Sequence, residues 1–408
     1  MLTKQEIAVL QELAKQYAEI ASLPIQKEKR NMWLKLNTIQ MERPMVLIDQ
    51  IPWHEMDVDG FLKTKVSDPH WRGIEWEMRT AIYRWHHMPA DLVVNPYICL
   101  PRIAENVGWN LPFHAESEVG QYGGQAQTHI FVNQLQEMED IEKIQPRKII
   151  VHKEREAEML LEAKEVFGGI IDYRWGGFSS HLGFWDFISL WMGVTNCYIE
   201  LMDRPEFMHA IMERMTQIHL EEIRQMNELQ LYDINTNICH CSQTFLPDLP
   251  KEGDIAVSGN AWAFGLAQLF TSVSPAITDE FEVAYMKRIF PYYGAIYYGC
   301  CDRLDDRLDI IAKLPKIRKI SCSPWSIPEP FAEKMPDYCA MSVKPNPAFL
   351  AGESLDEDSI RKEIRRAIAA AKNYNRSVEF ILKDITTVRN NPQRLWRWQE
   401  IAMEEVQR

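Results

Sequence analysis

The opening segment, MLTKQEIAVLQELAKQYAEIA, repeats apolar residues at helical spacing with charges between them, and residues 1–42 read as a helical extension. Arg43 to Trp53 (RPMVLIDQIPW) has a short apolar run flanked by prolines and no helical period, which predicts a first buried strand. Gly73 to His87 predicts a helix. Asp91-Leu-Val-Val-Asn-Pro predicts another short buried strand, running into a loop rich in Pro, Tyr and Trp.

From Lys153 onward the pattern becomes regular. A helix over Lys153–Val166 is followed by a strand over Gly169–Tyr173, a Gly/Ser loop, and helices through Trp185 and from Arg204 to Leu229. Further strands are expected at Leu231–Asn235, Ile255–Val257, Gly294–Tyr298, Ile317–Ser321, Cys339–Val343 and Val378–Leu382, mostly with helical segments between them. Strand and helix in alternation predict a parallel sheet closing on itself. The expected fold is therefore α/β, a (β/α)8 TIM barrel over 43–408 behind an N-terminal helical extension, without internal repeats.

Composition narrows the function classes. At 408 residues the chain exceeds the roughly 250–300 of one simple core, a size that a barrel with insertions reaches. No apolar stretch of about 18 residues suggests a membrane span. The net charge of −13 and short, mixed basic runs argue against a nucleic-acid partner. The amino terminus lacks the features of a signal peptide, so a cytoplasmic location is expected, with all eight cysteines reduced and read as core residues, ligands or nucleophiles.

In a barrel, chemistry belongs at the carboxyl ends of the strands. The loop after Ala295-Ile-Tyr-Tyr carries Gly299-Cys300-Cys301-Asp302, two soft donors beside a carboxylate at a strand end. Adjacent cysteines do not readily share one ion, so one of Cys300 and Cys301 is expected to ligate; packing of both as small core residues is the other reading. A second cluster, Cys239-His240-Cys241, follows Leu231–Asn235. In an extended loop Cys239 and Cys241 would face one way and His240 the other. Hydrogen-bonded packing is its plainer reading. Three such donors and one open position would make zinc a Lewis acid. Asp384, after Lys383 at the end of the last strand, is a fourth candidate ligand or one half of a salt-bridged rim. His181 lies on a glycine-rich loop, as a general acid/base, a substrate contact or a structural residue. The thirteen tryptophans, among them Trp53, Trp185 and Trp325, are numerous for this length, and several fall in expected rim loops; most are expected in the core, with a minority walling a flat substrate.

The stretch from Ile170 to Leu350 resembles the uroporphyrinogen decarboxylase superfamily. Gly177-Phe-Ser-Ser-His-Leu-Gly-Phe-Trp is similar to its glycine and tryptophan loop, Asp203-Arg-Pro-Glu-Phe to its helix start, and Ser274-Pro-Ala-Ile-Thr-Asp-Glu-Phe to its "SP…F…F" segment. Ile296-Tyr-Tyr-Gly-Cys-Cys-Asp is similar to the strand carrying the His-x-Cys zinc motif of the corrinoid-linked methyltransferases, and Lys344-Pro-Asn-Pro-Ala-Phe-Leu resembles "GN-x-DP-x-x-L". Tyr298 stands at the motif's histidine position, Cys300 at its cysteine, and Lys383-Asp384 near its last-strand cysteine. The true decarboxylase is matched less well: Tyr97-Ile-Cys-Leu stands where its catalytic aspartate would follow, and no amino-terminal arginine-rich motif is present.

The resemblance implies methyl transfer between a small, methoxylated aromatic substrate and a corrinoid protein or cofactor. Zinc would be held by Cys300 or Cys301 with His240, Cys241 or Asp384. His181 or Tyr298 would handle a proton on the leaving oxygen, with Asp384 counted among the catalytic candidates, and Trp53, Tyr97, Trp185 and Lys383 would contact substrate. A homodimer is the other partner considered. The competing expectations are a metal-free decarboxylase or lyase acting on a small carboxylated substrate, and a silent subunit presenting the barrel to a corrinoid protein.

Overall fold

The computed structural model describes residues 2–118, 128–235, 237–250 and 255–408. Nine strands position the site: β1 (Met45–Ile48), β2 (Tyr97–Leu100), β3 (Asp172–Trp175), β4 (Ser180–Leu182), β5 (Trp262–Gly265), β6 (Ala295–Tyr298), β7 (Ile317–Cys322), β8 (Ala340–Val343) and β9 (Val378–Leu382). Seven of them form one sheet in the order β1-β9-β8-β7-β6-β5-β4, with every neighbouring pair parallel. Runs such as Ala340–Val343 and Val378–Leu382 are buried at every position, as strands covered on both faces require.

The protein is thus mixed α/β with a mostly parallel central sheet. Among the described residues no continuous ladder joins the edge strands β1 and β4 into the eight-strand ring expected from the sequence. Instead β2 pairs with β3, Phe178 just beyond β3 forms a single bridge with Tyr232, and the Asp91 N–H reaches the Val46 carbonyl of β1 at 3.0 Å. The segment Asp91–Asn95, expected as a strand, is irregular; the Asp91 carboxylate, fully buried, takes two bonds from Arg43 and the Val46 N–H. Leu231–Asn235 contributes only the bridge at Tyr232, and the strand expected at Ile255–Val257 lies later, at Trp262–Gly265.

The first two helices, Lys4–Ala21 and Pro24–Asn37, pack onto the body. A capping box starts the first: the Thr3 hydroxyl accepts from the Glu6 N–H, and the Glu6 carboxylate accepts from the Thr3 N–H. The second drives Trp33, fully buried, beneath the inner face of the sheet, where the Lys319 ammonium stands 5.1 Å from its ring. Asn37 donates to the carbonyls of Gln243 and Phe245 at 3.1 and 2.9 Å. The cavity lined by the loops after the strands lies at their carboxyl ends.

A polar network runs through this otherwise largely apolar inner face. Lys319 on β7 and Glu379 on β9, both wholly buried, form an ion pair at 2.5 Å. Ser242 and Ser342 bond the same carboxylate at 2.9 and 2.6 Å, and the Tyr297 hydroxyl donates to Ser342 at 2.8 Å. Each member has a partner, which is the condition under which charge is tolerated in a core.

Candidate active site

Three residues in the left-handed region turn the backbone at the open end. Gly299 follows β6 with φ +87°, Asp384 follows β9 with φ +57°, and His240 has φ +56°. The positive φ favours glycine at 299, and a Cβ there would also come within 2.6 Å of Leu304 Cδ1, so that side chain would have to shift. His240 is not in an extended loop as expected. Ile238–Cys239 pairs antiparallel with Ser242–Gln243, leaving His240-Cys241 as a two-residue hairpin turn. Strained non-glycine residues of this kind gather where a side chain must be held at one place.

These turns bring Cys300, Cys301, His240, Lys383 and Asp384 together. Cys300 Sγ lies 3.6 Å from His240 Nε2, 3.4 Å from Cys301 Sγ and 3.1 Å from Lys383 Nζ. Cys301 Sγ donates to Asp384 Oδ2 at 2.9 Å, and Lys383 Nζ reaches Asp384 at 2.8 Å and Cys301 at 3.5 Å. The contact with Cys301, with His240 and Lys383 adding to it, outweighs burial and brings the Cys300 thiol down to about 4. The same contact pushes Cys301 up, leaving it a protonated donor. Burial pulls Lys383 down, but the Cys300 charge and Asp384 raise it overall. Burial likewise opposes the charged form of His240, yet the thiols of Cys241 and Cys300 carry it up to about 9. The resting arrangement is a thiolate between two cations, with a thiol and a carboxylate beside it.

Cys301, Lys383 and Asp384 open onto a cavity of about 480 Å³, with Pro324, Trp325, Lys344, Asn346 and Thr387 also in its wall. Its residues come from the loops after β6, β7, β8 and β9, at the end of the sheet where parallel α/β folds place their sites. Cys300 sits behind this wall, 5% exposed.

The other sequence candidates are distributed around this cluster. His181, on β4, is exposed on one side and touches Phe264 on the other, ring centroids 5.3 Å apart, and Phe264 stacks on His240 at 3.9 Å. Cys241 is buried, 4.0 Å from the Tyr297 hydroxyl, and lies outside the contacts around Cys300. Tyr298 faces away: strand alternation turns Tyr297 inward and Tyr298 toward the helices, where its hydroxyl meets the buried Glu282 at 3.4 Å. Burial, with Asp186 adding to it, holds that carboxyl well above its usual range.

Trp185 is fully buried against Phe270 and Phe281, with its indole N–H on the Phe281 carbonyl at 3.2 Å, so it packs the helix layer and does not line the cavity. Trp53 packs edge-on against Trp76 and Tyr83. Tyr97 is buried beneath the Arg174 guanidinium and donates to Asn237 at 2.9 Å, supporting the base of the His240 hairpin. Lys344 and Trp325 line the cavity without having been singled out as contacts from sequence.

The donors Cys300, Cys301, His240 and Asp384 are of the kinds zinc accepts. Their arrangement does not fit the ion: among the described residues no three His, Cys, Asp or Glu groups stand in a metal-holding geometry, and the Lys383 ammonium already lies among both sulfurs and the carboxylate. A divalent ion bonded to those atoms would face that positive charge at contact distance.

No family model matches the chain, and no curated protein matches it. Solved structures do. One is a methyltransferase from Methanosarcina mazei, 11% identical, with a TM-score of 0.48, the match covering 91% of this chain and 98% of that one. At that score the likeness transfers no activity. No helix among the described residues is long and apolar enough to cross a membrane.

Proposed function

We propose that the chain is an enzyme that moves a methyl group off a small substrate held in the rim cavity. The observation that carries this reading is the convergence of Cys300, Cys301, His240, Lys383 and Asp384 from separate strand ends onto one cavity wall. Such preorganised charge stabilises charge that develops during a reaction, provided it is fixed before the substrate arrives. Cys300 and Asp384 fix the Lys383 ammonium from two sides. Lys383 then places a positive charge beside an oxygen or nitrogen losing its methyl group.

In that displacement the methyl carbon leaves the heteroatom, the bonding electron pair stays on the heteroatom, and Lys383 offsets its charge. A reduced corrinoid, brought by a partner protein, would supply the nucleophile that accepts the methyl group. The cavity has the size of a small-molecule pocket, so this chain's part is to hold and polarise the donor. No step here is assigned to zinc.

The test is methyl transfer to free reduced cobalamin from a panel of methoxybenzenes and methylated amines, followed by the absorbance of methylcobalamin. Wild type is expected to turn over, and Lys383→Met to lose about 10²- to 10³-fold in kcat. Release of carbon dioxide from carboxylated substrates, with no methyl transfer by wild type, would replace the reading by a metal-free lyase.

A further inference from the structure

Methyl transfer needs Cys300 only to fix Lys383 and leaves Cys301 without a task. The two sulfurs nevertheless touch, Sγ to Sγ at 3.4 Å, and their surroundings differ. Cys301 is half-buried in the wall of the rim cavity, and its thiol donates at 2.9 Å to Asp384 Oδ2, a carboxylate of the same wall with 46% of its side chain exposed. Cys300 lies behind it, 5% exposed, with Lys383 Nζ at 3.1 Å and His240 Nε2 at 3.6 Å.

Each half of that arrangement suits one step of thiol oxidation. A thiol becomes a nucleophile when a base takes its proton, and Cys301 has such a base on the side that a solute reaches. The sulfur that closes a disulfide must stand within reach as an anion, and positive charge on two sides favours the thiolate of Cys300. Exposure and charge therefore give the outer sulfur the first step and the inner one the second.

We propose that Cys300 and Cys301 are a peroxide-oxidisable dithiol, in which Cys301 reduces a small hydroperoxide and Cys300 closes the resulting sulfenic acid into a disulfide between neighbouring residues. As Asp384 takes the Cys301 proton, the sulfur attacks one oxygen of hydrogen peroxide, and the O–O bond breaks with its electron pair on the other oxygen. That hydroxide takes the proton back from Asp384 and leaves as water, with Cys301 oxidised to the sulfenic acid. The Cys300 thiolate then attacks the Cys301 sulfur; the S–O bond breaks, and the hydroxide leaves as a second water with a proton from the His240 imidazolium. Two electrons have passed from the sulfurs to the peroxide. Adjacent Cα atoms stand ~3.8 Å apart, closer than the roughly 4.4–6.8 Å usual between bridged cysteines, so this disulfide is strained and readily reduced. While it lasts, Lys383 lacks one of the two groups that fix it.

The test is mass-spectrometric mapping of thiols after a few-fold excess of hydrogen peroxide is added to the native wild-type chain, followed by alkylation and digestion. The peptide carrying Cys300 and Cys301 is expected to lose two hydrogens, to take up no alkylating agent and to regain both thiols with dithiothreitol. It should react about tenfold or more faster than the other six cysteines, five of which are buried. Cys300→Ser is expected to accumulate a sulfenic acid on Cys301 that dimedone traps, and Asp384→Asn to slow oxidation about tenfold or more. The wild-type map stands even if the variants fail to fold. A pair that stays reduced while other cysteines oxidise, a disulfide from either sulfur to another cysteine, or dimedone labelling of Cys300 in Cys301→Ser would each overturn the proposal. The map reads the sulfurs alone, so its outcome is separate from whether methyl transfer occurs.

Discussion

Cys300 Sγ and Lys383 Nζ lie 3.1 Å apart at the ends of β6 and β9, two strands that are not neighbours in the sheet. Lys383 joins Cys301 and His240 in lowering the Cys300 thiol, and its ammonium stands where the sequence leads one to expect a metal.

The first consequence is a pH profile. With its folded-state value brought to about 4, Cys300 is a thiolate across the neutral range, losing its charge only as pH falls through that value. The ultraviolet thiolate absorbance of wild type minus that of Cys300→Ser should persist down to about pH 5. In Lys383→Met the midpoint should rise by about 1–3 units, because an opposite charge at this distance has been removed. A wild-type midpoint in the ordinary thiol range would remove the anionic centre.

A second prediction concerns metal. Wild type equilibrated with zinc and desalted should retain well under one equivalent by elemental analysis, because Lys383 stands among the donors. Lys383→Ala leaves two sulfurs, an imidazole and a carboxylate without the ammonium, and should bind zinc more tightly than wild type. One tightly held equivalent in wild type, lost in Cys300→Ala, would show that Lys383 moves aside and that the metal reading was right.

The third lies beneath the cavity. Removing Lys319 leaves Glu379 buried and unpaired, so Lys319→Met should cost about 3–5 kcal/mol in chemical denaturation. Replacing both residues, as Lys319→Met with Glu379→Met, should recover most of that loss. If the double variant is no more stable than the single one, the remaining hydrogen bonds to Ser242 and Ser342 matter more than the pair itself.

How much of this could be read from the sequence depended on whether the signal was local. Gly299-Cys300-Cys301 at the end of an apolar run marked a strand-end turn, because the apolar period and the glycine sit side by side. The Asp384 position was legible because it follows directly on the apolar run Val378–Leu382. His240 was placed at the right end but in the wrong backbone, since nothing in Ile238–Gln243 has the Asn-Gly or Gly-rich character that usually marks a two-residue hairpin. Tyr298 was chosen over Tyr297 by motif position, and a shift of one residue exchanges the two faces of a strand. Trp185 and Trp53 were drawn to the site by aromatic content alone, which does not separate a ligand wall from helix packing.

Lys344 was read as one letter of a motif. Its signal was present nonetheless: Lys319, Glu379 and Lys344 are charges within or just beyond largely buried strands, and the strand register puts all three on one face. Charges at alternate positions in buried strands point to a polar interior, which only the sheet order assembles into a network.

The three left-handed corners at His240, Gly299 and Asp384 bear on anyone wishing to rebuild this chemistry in another scaffold. The transplantable unit is three short backbone segments with their corners intact, 237–243, 299–302 and 382–384. Side chains copied onto regular strand ends would point along other vectors and arrive with the right residues in the wrong places.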